Sequence, residues 1–287
     1  MKTDWDFSRC NYEMAEFLRK LPNLPVFNNF RDHMKSIWKA WMPKQWLSIH
    51  DQLVAGSRYL DLRVTKNDDV IYGEHGLYTR QLKKYLKEIR LFMEEQPFEV
   101  IVLHFQSCDY LDRADKRHLV TMLFQIFGAK MACKAEGGAL PTLKWMWSMK
   151  KQLLILFPDK DIELIKNHIF GGLVWSDELV EVTTPKKQTV PQLVDYLEES
   201  VRTRPAARDP SKLFVCKAVL SPDMSTVFGK FQYRCMRDLV SCEITSAVNS
   251  WLKGKTGLNV VAVDFVGVGD TVGKILELNN AGEVPEN

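Results

Sequence analysis

The sequence predicts an α/β fold of the TIM-barrel type. Apolar segments with strand character alternate with amphipathic helical segments, an order typical of parallel strands joined by helical crossovers. The chain has 287 residues, of which 46% are hydrophobic, and this suits one α/β barrel with a large core. No glycine-rich phosphate loop follows the first strand, which argues against an open dinucleotide-binding sheet.

Seven segments have the composition of strands. The first, SRYLDLRV, has β-branched and aromatic side chains at buried positions, and EVIVLHF is apolar almost throughout, as strands covered on both faces are. The predicted strands are 57–64, 70–75, 99–105, 152–157, 171–175, 213–220 and 258–266.

The segments between these strands have helical periodicity. In residues 82–95, leucine, isoleucine and methionine side chains recur on one face, and lysine and glutamate occupy the other. A second helix is expected from Asp112 to Gly128, with the glycine as its C′ residue. Thr189 can cap a third helix that has Pro191 in its first turn, and further helices are expected over 234–252 and up to about 278.

The strand count leaves the choice of architecture open at this point. An open doubly wound sheet is the alternative to a barrel, and a barrel needs one strand more than the sequence shows. The GVGD segment at 267–270 follows the last strand and lacks another glycine. We interpret it as a turn, which favours the barrel.

Charge and hydropathy exclude several classes of protein. The formal net charge is +3, which argues against nucleic-acid binding through a strong basic field and allows weak attraction to an anionic surface. No apolar run approaches the ~18 residues of a membrane span. The first residues lack the apolar core of a signal peptide. We therefore expect a cytoplasmic protein with peripheral membrane contact, and secretion is the alternative.

Polar side chains cluster where the predicted strands end, which is where barrel enzymes hold their active sites. Asp61 and Arg63 are two residues apart and leave the same face of their strand; a buried ion pair that fixes packing is the alternative interpretation. His75 is followed by a glycine that allows a tight turn, although a lone histidine is often structural. The other strand-end residues are Glu74, His104, Gln106, Trp175, Asp177 and Asp264.

This combination of side chains suits a phosphate ester. An arginine offers a fixed fork of donors to phosphoryl oxygens, and a histidine can protonate a leaving oxygen near neutral pH. His, Asp and Glu residues do not occur at metal-ligand spacing, so we expect acid–base chemistry without a metal or another cofactor.

Four segments together resemble the X-domain of phosphatidylinositol-specific phospholipase C. They are WMPKQWLSIHDQLVAGSRYLDLRV (41–64), GEHGLY (73–78), FEVIVLHF (98–105) and NVVAVDFV (259–266). The resemblance is to small eukaryotic X-domain proteins and their bacterial relatives, and it implies a distorted TIM barrel. It divides the chain into a divergent segment 1–35, a barrel domain 36–280 and a frayed tail 281–287.

The resemblance also implies a reaction and roles for residues. The family cleaves an inositol phospholipid to diacylglycerol and a cyclic inositol phosphate. His75 matches the general acid, Asp61 and Arg63 match the D-[IL]-R motif that holds the phosphate, and Asp264 matches the carboxylate that orients the first histidine. Calcium-dependent members have acidic ligands where this chain has Arg63, so a metal-free site is implied. Lys217 and Trp175, at later strand ends, are expected to contact the substrate.

One family motif is absent from the sequence. Residues 1–40 contain no P-G-[ST]-H segment, so we expect the barrel to lack its first strand and the general base that this strand carries. The sequence thus predicts a phosphoric diester hydrolase that acts on a phospholipid at a membrane surface. The alternative is a catalytically impaired or truncated family member that binds phospholipid or inositol phosphate, and a purely structural barrel is the third possibility.

Overall fold

The computed structural model describes residues 44–75, 78–134, 140–183, 185–203, 211–221 and 235–280, together with eight helical positions between 28 and 41. The described strands are β1 (Tyr59–Asn67), β2 (Val70–Glu74), β3 (Tyr78–Gln81), β4 (Ile101–Ser107), β5 (Leu153–Phe157), β6 (Trp175–Ser176), β7 (Val180–Thr183), β8 (Leu213–Lys217) and β9 (Val260–Ala262).

Helices separate most of these strands, as the alternating pattern predicts. They are α1 (Ile49–Val54), α2 (Leu82–Glu95), α3 (Arg113–Phe127), α4 (Leu143–Ser148), α5 (Asp159–Ile165), α6 (Val190–Thr203), α7 (Met236–Leu239), α8 (Thr245–Leu252) and α9 (Thr271–Asn280). A π-helical turn, Val240–Ile244, joins α7 to α8. None of the described helices is long and apolar enough to cross a membrane.

The chain divides into two compact units. Unit 1 comprises Met1–Met42 and Arg58–Leu179, and unit 2 comprises Pro43–Ser57 and Val180–Asn287. Unit 1 contains a six-stranded sheet in the order β3-β2-β1-β4-β5-β6, and unit 2 contains a three-stranded sheet in the order β7-β8-β9.

Parallel strands form the centre of unit 1. β1, β4, β5 and β6 are parallel neighbours, and every residue of β5 is buried. Helix α2 has the predicted bounds, and Leu82, Leu86 and Ile89 on its apolar face are fully buried. Helix α3 begins with a capping box between Asp112 and Asp115, which satisfies backbone N–H groups of the first turn.

The β1–β2 connection differs from the expected parallel arrangement. β2 is antiparallel to β1, and Val64 pairs with Gly73. Only residues 68 and 69 separate the two strands, and Asp68 has a φ of 50°. A two-residue connection can form only an antiparallel hairpin, because a parallel crossover needs a dozen residues or more.

Several predicted strands are shorter in the structure than in the prediction; the segment 213–220, for example, forms a strand only as far as Lys217. Most of the segment 171–175 forms a 3₁₀ turn, Gly171–Leu173, and only Trp175 of this segment enters β6. The last strand ends at Ala262, and three residues later Phe265 has a φ of 52°, so the chain turns where the sequence predicts a continued strand.

Unit 2 is parallel throughout its described sheet. β7 pairs with β8, and β8 pairs with β9 so that Lys217 lies opposite Ala262. Thr189 begins α6 as predicted, since its carbonyl accepts from the N–H of Leu193 at 3.0 Å and its side chain accepts from Gln192 at 3.5 Å.

Candidate functional site

Asp61 and Arg63 lie on the same face of β1, and both are exposed. Leu60 and Val64, on the opposite face, are buried. This alternation follows from the two-residue period of a strand. The alternative interpretation, a buried ion pair that fixes packing, is wrong, because neither residue is buried.

A bulge in β4 provides a hydrogen-bond partner for Arg63. Leu62 pairs with Phe105 and Arg63 pairs with Ser107, so Gln106 is the extra residue between the two pairs. Its side-chain oxygen accepts a hydrogen bond from Nε of Arg63 at 2.9 Å. Because the contact uses Nε alone, it orients the guanidinium while the two terminal nitrogens lie outside this hydrogen bond. Such a fork suits the oxygens of a phosphate.

The β1–β2 hairpin ends just before His75. His75 directly follows β2 and is partly exposed. Val64 pairs with Gly73, two residues before His75. Asp61, Arg63 and His75 therefore lie in the β1–β2 hairpin and the residue that follows it, within unit 1.

A polar cluster that the sequence did not predict lies on the same face of the sheet as Asp61. His104 pairs with Asp61 in the parallel register and is 2% exposed. The Tyr59 hydroxyl lies 2.5 Å from its Nδ1, and a carboxylate oxygen of Asp177 lies 3.7 Å from its Nε2. Of the three residues His104 is buried, and Tyr59 and Asp177 are half-buried; we call them the Tyr–His–Asp cluster.

The surroundings of the Tyr–His–Asp cluster keep the tyrosine neutral. Burial raises the pKa of Tyr59 far above its usual value of 10, and the negative charges of Asp61 and Asp177 add to this effect. Because Asp177 faces Nε2, the tautomer with its proton on Nε2 is favoured, and the tyrosine hydroxyl then donates to Nδ1.

Trp175 does not contribute to an exposed site. It is fully buried, and its indole N–H donates to the backbone oxygen of Ala132 at 3.1 Å. Its predicted role as a substrate-binding residue is therefore wrong in this structure, because the ring packs in the core of unit 1 and has no exposed surface for a ligand.

Asp264 and Lys217, the two remaining predicted residues, lie in unit 2. Asp264 follows β9 by two residues, and its side chain is 10% exposed. Its carboxylate accepts a hydrogen bond from Nζ of Lys44 at 3.0 Å. Lys217 ends β8 and lies close enough to act on the Asp264 carboxyl electrostatically.

The environment of Asp264 differs from the predicted one. The resemblance implies that this carboxylate orients a histidine, whereas in the structure it forms an ion pair with Lys44. Burial raises the pKa of Asp264 above its usual value, and the positive charges of Lys44 and Lys217 act in the opposite direction.

Lys44 is held in place by the adjacent backbone. The N–H of Phe265 donates to the Lys44 carbonyl at 2.8 Å, and Nζ of Lys44 also donates to the Leu220 carbonyl at 3.3 Å. The side chain of Gln45 bridges the carbonyl of Val263 and the N–H of Val266. Residues 44 and 45 are therefore hydrogen-bonded to residues 263–266, and these contacts hold the Lys44–Asp264 ion pair in position.

Possible metal ligands do not converge in the described part of the chain. Its His, Cys, Asp and Glu residues form no group of three or more that could hold a metal ion.

Comparison with known proteins identifies the family. The PI-PLC X 1 family model matches residues 37–169. Mouse PI-PLC X domain-containing protein 2 is 30% identical over 258 residues, which are 86% of this chain and 72% of that protein. This chain belongs to the PI-PLC X domain family. Mouse PI-PLC X domain-containing protein 3 is 29% identical over 260 residues, 87% of this chain and 78% of that protein.

Solved structures confirm the predicted fold class, an α/β fold of the distorted TIM-barrel type. The phosphatidylinositol-specific phospholipase C of Listeria monocytogenes has a TM-score of 0.63 and 19% identity, with coverage of 85% of this chain and 86% of that chain. A structure of the Staphylococcus aureus enzyme, from work on its membrane binding, has a TM-score of 0.59 and 17% identity over 85% of each chain. The strand that we expect to be missing would precede Lys44, mostly outside the described residues.

Proposed function

We propose that this chain is a phosphoric diester hydrolase of the phospholipase C type that acts on an inositol phospholipid at a membrane surface. The observation that carries the proposal is Arg63, an exposed guanidinium oriented by Gln106 at 2.9 Å on β1, the first strand of the hairpin that His75 follows. A cation and a proton donor are groups that cleavage of a phosphodiester requires.

In the proposed reaction, Arg63 binds phosphoryl oxygens and stabilises the negative charge that develops on them. The inositol 2-hydroxyl oxygen attacks phosphorus and its proton passes to solvent water, while the bond to the diacylglycerol oxygen breaks. His75 gives its proton to that leaving oxygen. The products are diacylglycerol and a cyclic inositol phosphate. With Arg63 as the cation, this mechanism assigns no step to a metal.

The general base is the one group of this mechanism that we do not assign to a residue. The family places it in a P-G-[ST]-H segment that residues 1–40 do not contain. In unit 2 the Asp264 carboxylate contacts the ammonium of Lys44, which has no lone pair with which to accept a proton. Loss of a general base costs about 10²- to 10⁴-fold in rate, so we expect slow turnover.

The same ion pair favours a second candidate function, a module that binds phospholipid or inositol phosphate without cleaving it. Lys44 and Lys217 place two positive charges close to one buried carboxylate in unit 2, and Arg63 is a cation in unit 1. Cations without a base suit binding of a phosphate rather than its cleavage.

Incubation of the purified chain with phosphatidylinositol micelles and a chelator tests both functions. Release of cyclic inositol phosphate that falls at least 100-fold in both Arg63→Ala and His75→Ala supports the hydrolase. The matched controls are Arg202→Ala, on an exposed helical turn, and His118→Ala, on the exposed surface of α3. Neither control should change turnover.

Binding measured by calorimetry with a soluble inositol phosphate separates the remaining outcomes. No turnover with binding that Arg63→Ala abolishes supports the binding module. Neither turnover nor binding, in a chain whose circular dichroism shows that it is folded, contradicts both functions.

A further inference from the structure

Asp177 is a carboxylate of unit 1 that the proposed mechanism does not use. It directly follows β6, and its side chain is 29% exposed. The parallel register places one row of paired residues across the four strands from β1 to β6: Asp61, His104, Leu156 and Trp175. Paired residues of neighbouring strands point to the same face of a sheet, so this row defines the face on which the candidate site lies.

The next row, at the carboxyl ends of the strands, contains both Asp177 and the phosphate-binding residue. Asp177 is two residues beyond its member of the first row, as Arg63 and Gln106 are beyond theirs, and residues two apart share a face. The hydrogen bond from Arg63 to Gln106 and the approach of Asp177 to His104 agree with this placement. Asp177 therefore belongs to the same level of the sheet as the guanidinium.

The carboxylate of Asp177 is held from two sides. Its Oδ1 accepts a hydrogen bond from the backbone N–H of Asp159 at 2.9 Å. Its Oδ2 lies 3.7 Å from Nε2 of His104, and the other nitrogen of that imidazole is held by the Tyr59 hydroxyl at 2.5 Å. These contacts fix the direction of the carboxylate, and lone pairs on its oxygens are left to accept a proton.

Two other carboxylates near the carboxyl ends of the strands are occupied by side chains. Asp109 forms an ion pair with Lys160. Asp159 accepts a hydrogen bond from the Ser176 hydroxyl at 2.7 Å. Asp177 differs from both, because its partners are a backbone N–H and an imidazole.

The strand order places Asp177 opposite the proposed acid. In the order β2-β1-β4-β5-β6, His75 follows β2 and Asp177 follows β6, with Arg63 on β1 between them. The attacking and leaving oxygens of a phosphoryl transfer are roughly in line. A phosphate held by Arg63 thus has an acid on one side and a carboxylate on the other.

We propose that Asp177 is the general base of the proposed hydrolase and that His104 is its positioning residue. This inference rests on the proposed function and replaces solvent water as the proton acceptor. As the inositol 2-hydroxyl oxygen bonds to phosphorus, its proton passes to a carboxylate oxygen of Asp177. The bond from phosphorus to the diacylglycerol oxygen breaks, and that oxygen takes the proton of His75. Asp177 then releases its proton to water, and His75 regains one.

A substrate with a good leaving group separates the base from the acid. The purified chain is assayed with an inositol phosphodiester that releases 4-nitrophenolate, which departs without a proton. Asp177→Ala should lower kcat about 10²- to 10⁴-fold, the effect of losing a general base, at an unchanged KM. His75→Ala should keep most of its activity on this substrate. Sodium formate, a small carboxylate, should restore part of the activity of Asp177→Ala. His104→Gln, checked for folding by circular dichroism, should lower kcat less, also at an unchanged KM.

The matched control is Glu178→Ala, which removes the adjacent exposed carboxylate and should leave turnover unchanged. Turnover that is lost in Arg63→Ala but unchanged in Asp177→Ala would overturn Asp177 as the base and leave the proposed hydrolase standing. A loss that formate does not restore, or a loss and rescue in Asp61→Ala instead, would also overturn it. An unchanged kcat in His104→Gln would remove the positioning role. No turnover by the folded chain would overturn the base and the hydrolase together.

Discussion

The hydroxyl of Tyr59 lies 2.5 Å from Nδ1 of His104, a histidine that is 2% exposed. The pair joins the first residue of β1 to the middle of β4, and Asp177 faces the other ring nitrogen at 3.7 Å. A buried polar group that loses its partner costs about 1 to 3 kcal/mol, so the pair should stabilise unit 1.

Tyr59→Phe should therefore lower the free energy of unfolding by about 1 to 2 kcal/mol, because it leaves His104 without the hydroxyl. Urea denaturation followed by circular dichroism measures the change. Tyr110→Phe is the matched control, since Tyr110 is 58% exposed and should change stability little. An equal loss in both variants would show that the hydrogen bond to His104 contributes nothing.

The pH dependence of stability should also report Tyr59. Burial raises the pKa of this tyrosine above its value of 10 in the unfolded chain, so the folded protein retains a proton that the unfolded chain releases. The stabilisation is complete below pH 10 and is lost as the pH rises further. Tyr59→Phe should flatten the fall in stability between pH 10 and 11 in urea melts, because the variant has no phenol to titrate at this position. The same slope in the variant would contradict the raised pKa.

Gln106→Ala should weaken phosphate binding by about tenfold, since a hydrogen bond to a charged group contributes about 1.5 to 3 kcal/mol and Arg63 is exposed. Titration with a soluble inositol phosphate measures the affinity. The comparison variant is Gln106→Glu, which keeps an acceptor for Nε of Arg63 but adds a negative charge beside the phosphate. Unchanged affinity in the alanine variant would show that Arg63 does not need this contact.

Lys44→Met should destabilise unit 2 by about 2 to 3 kcal/mol, because the carboxylate of Asp264, 10% exposed, loses its nearest cation. Adding Asp264→Asn should restore part of this loss, as the charge that needed a partner is removed. Lys255→Met is the control, since its partner Glu198 is 53% exposed. A double variant less stable than Lys44→Met alone would contradict the ion-pair account.

The sequence predicted those elements whose pattern is local and periodic. The bounds of α2 followed from an apolar face that recurs every three or four residues, and β5 followed from a continuous apolar run. Asp61 and Arg63 followed from the two-residue period of a strand. β3 and β7 were missed, because each has only four residues, too few for a periodic pattern to stand out.

Contacts between distant parts of the chain could not be predicted. Lys44 and Asp264 are separated by 220 residues, and the sequence pattern of neither segment indicates a contact with the other. Gln106 became the partner of Arg63 through a bulge, which shifts the register by one residue. Trp175 was misassigned because its strand has two residues and its ring turns into the core. The predicted strands 57–64 and 70–75 are separated by only five residues, too few for a parallel crossover, and this spacing could have indicated the hairpin.

The β1–β2 hairpin has a consequence for how the candidate site assembles. Arg63 and His75 are only twelve positions apart along the chain, and closing so short a loop costs little entropy. Hairpins of this kind form in microseconds, well before contacts between remote segments are made. The cation and the proton donor are thus specified by one contiguous stretch of sequence, and an insertion or deletion of a single residue within β2 would misplace His75 without touching the rest of the sheet.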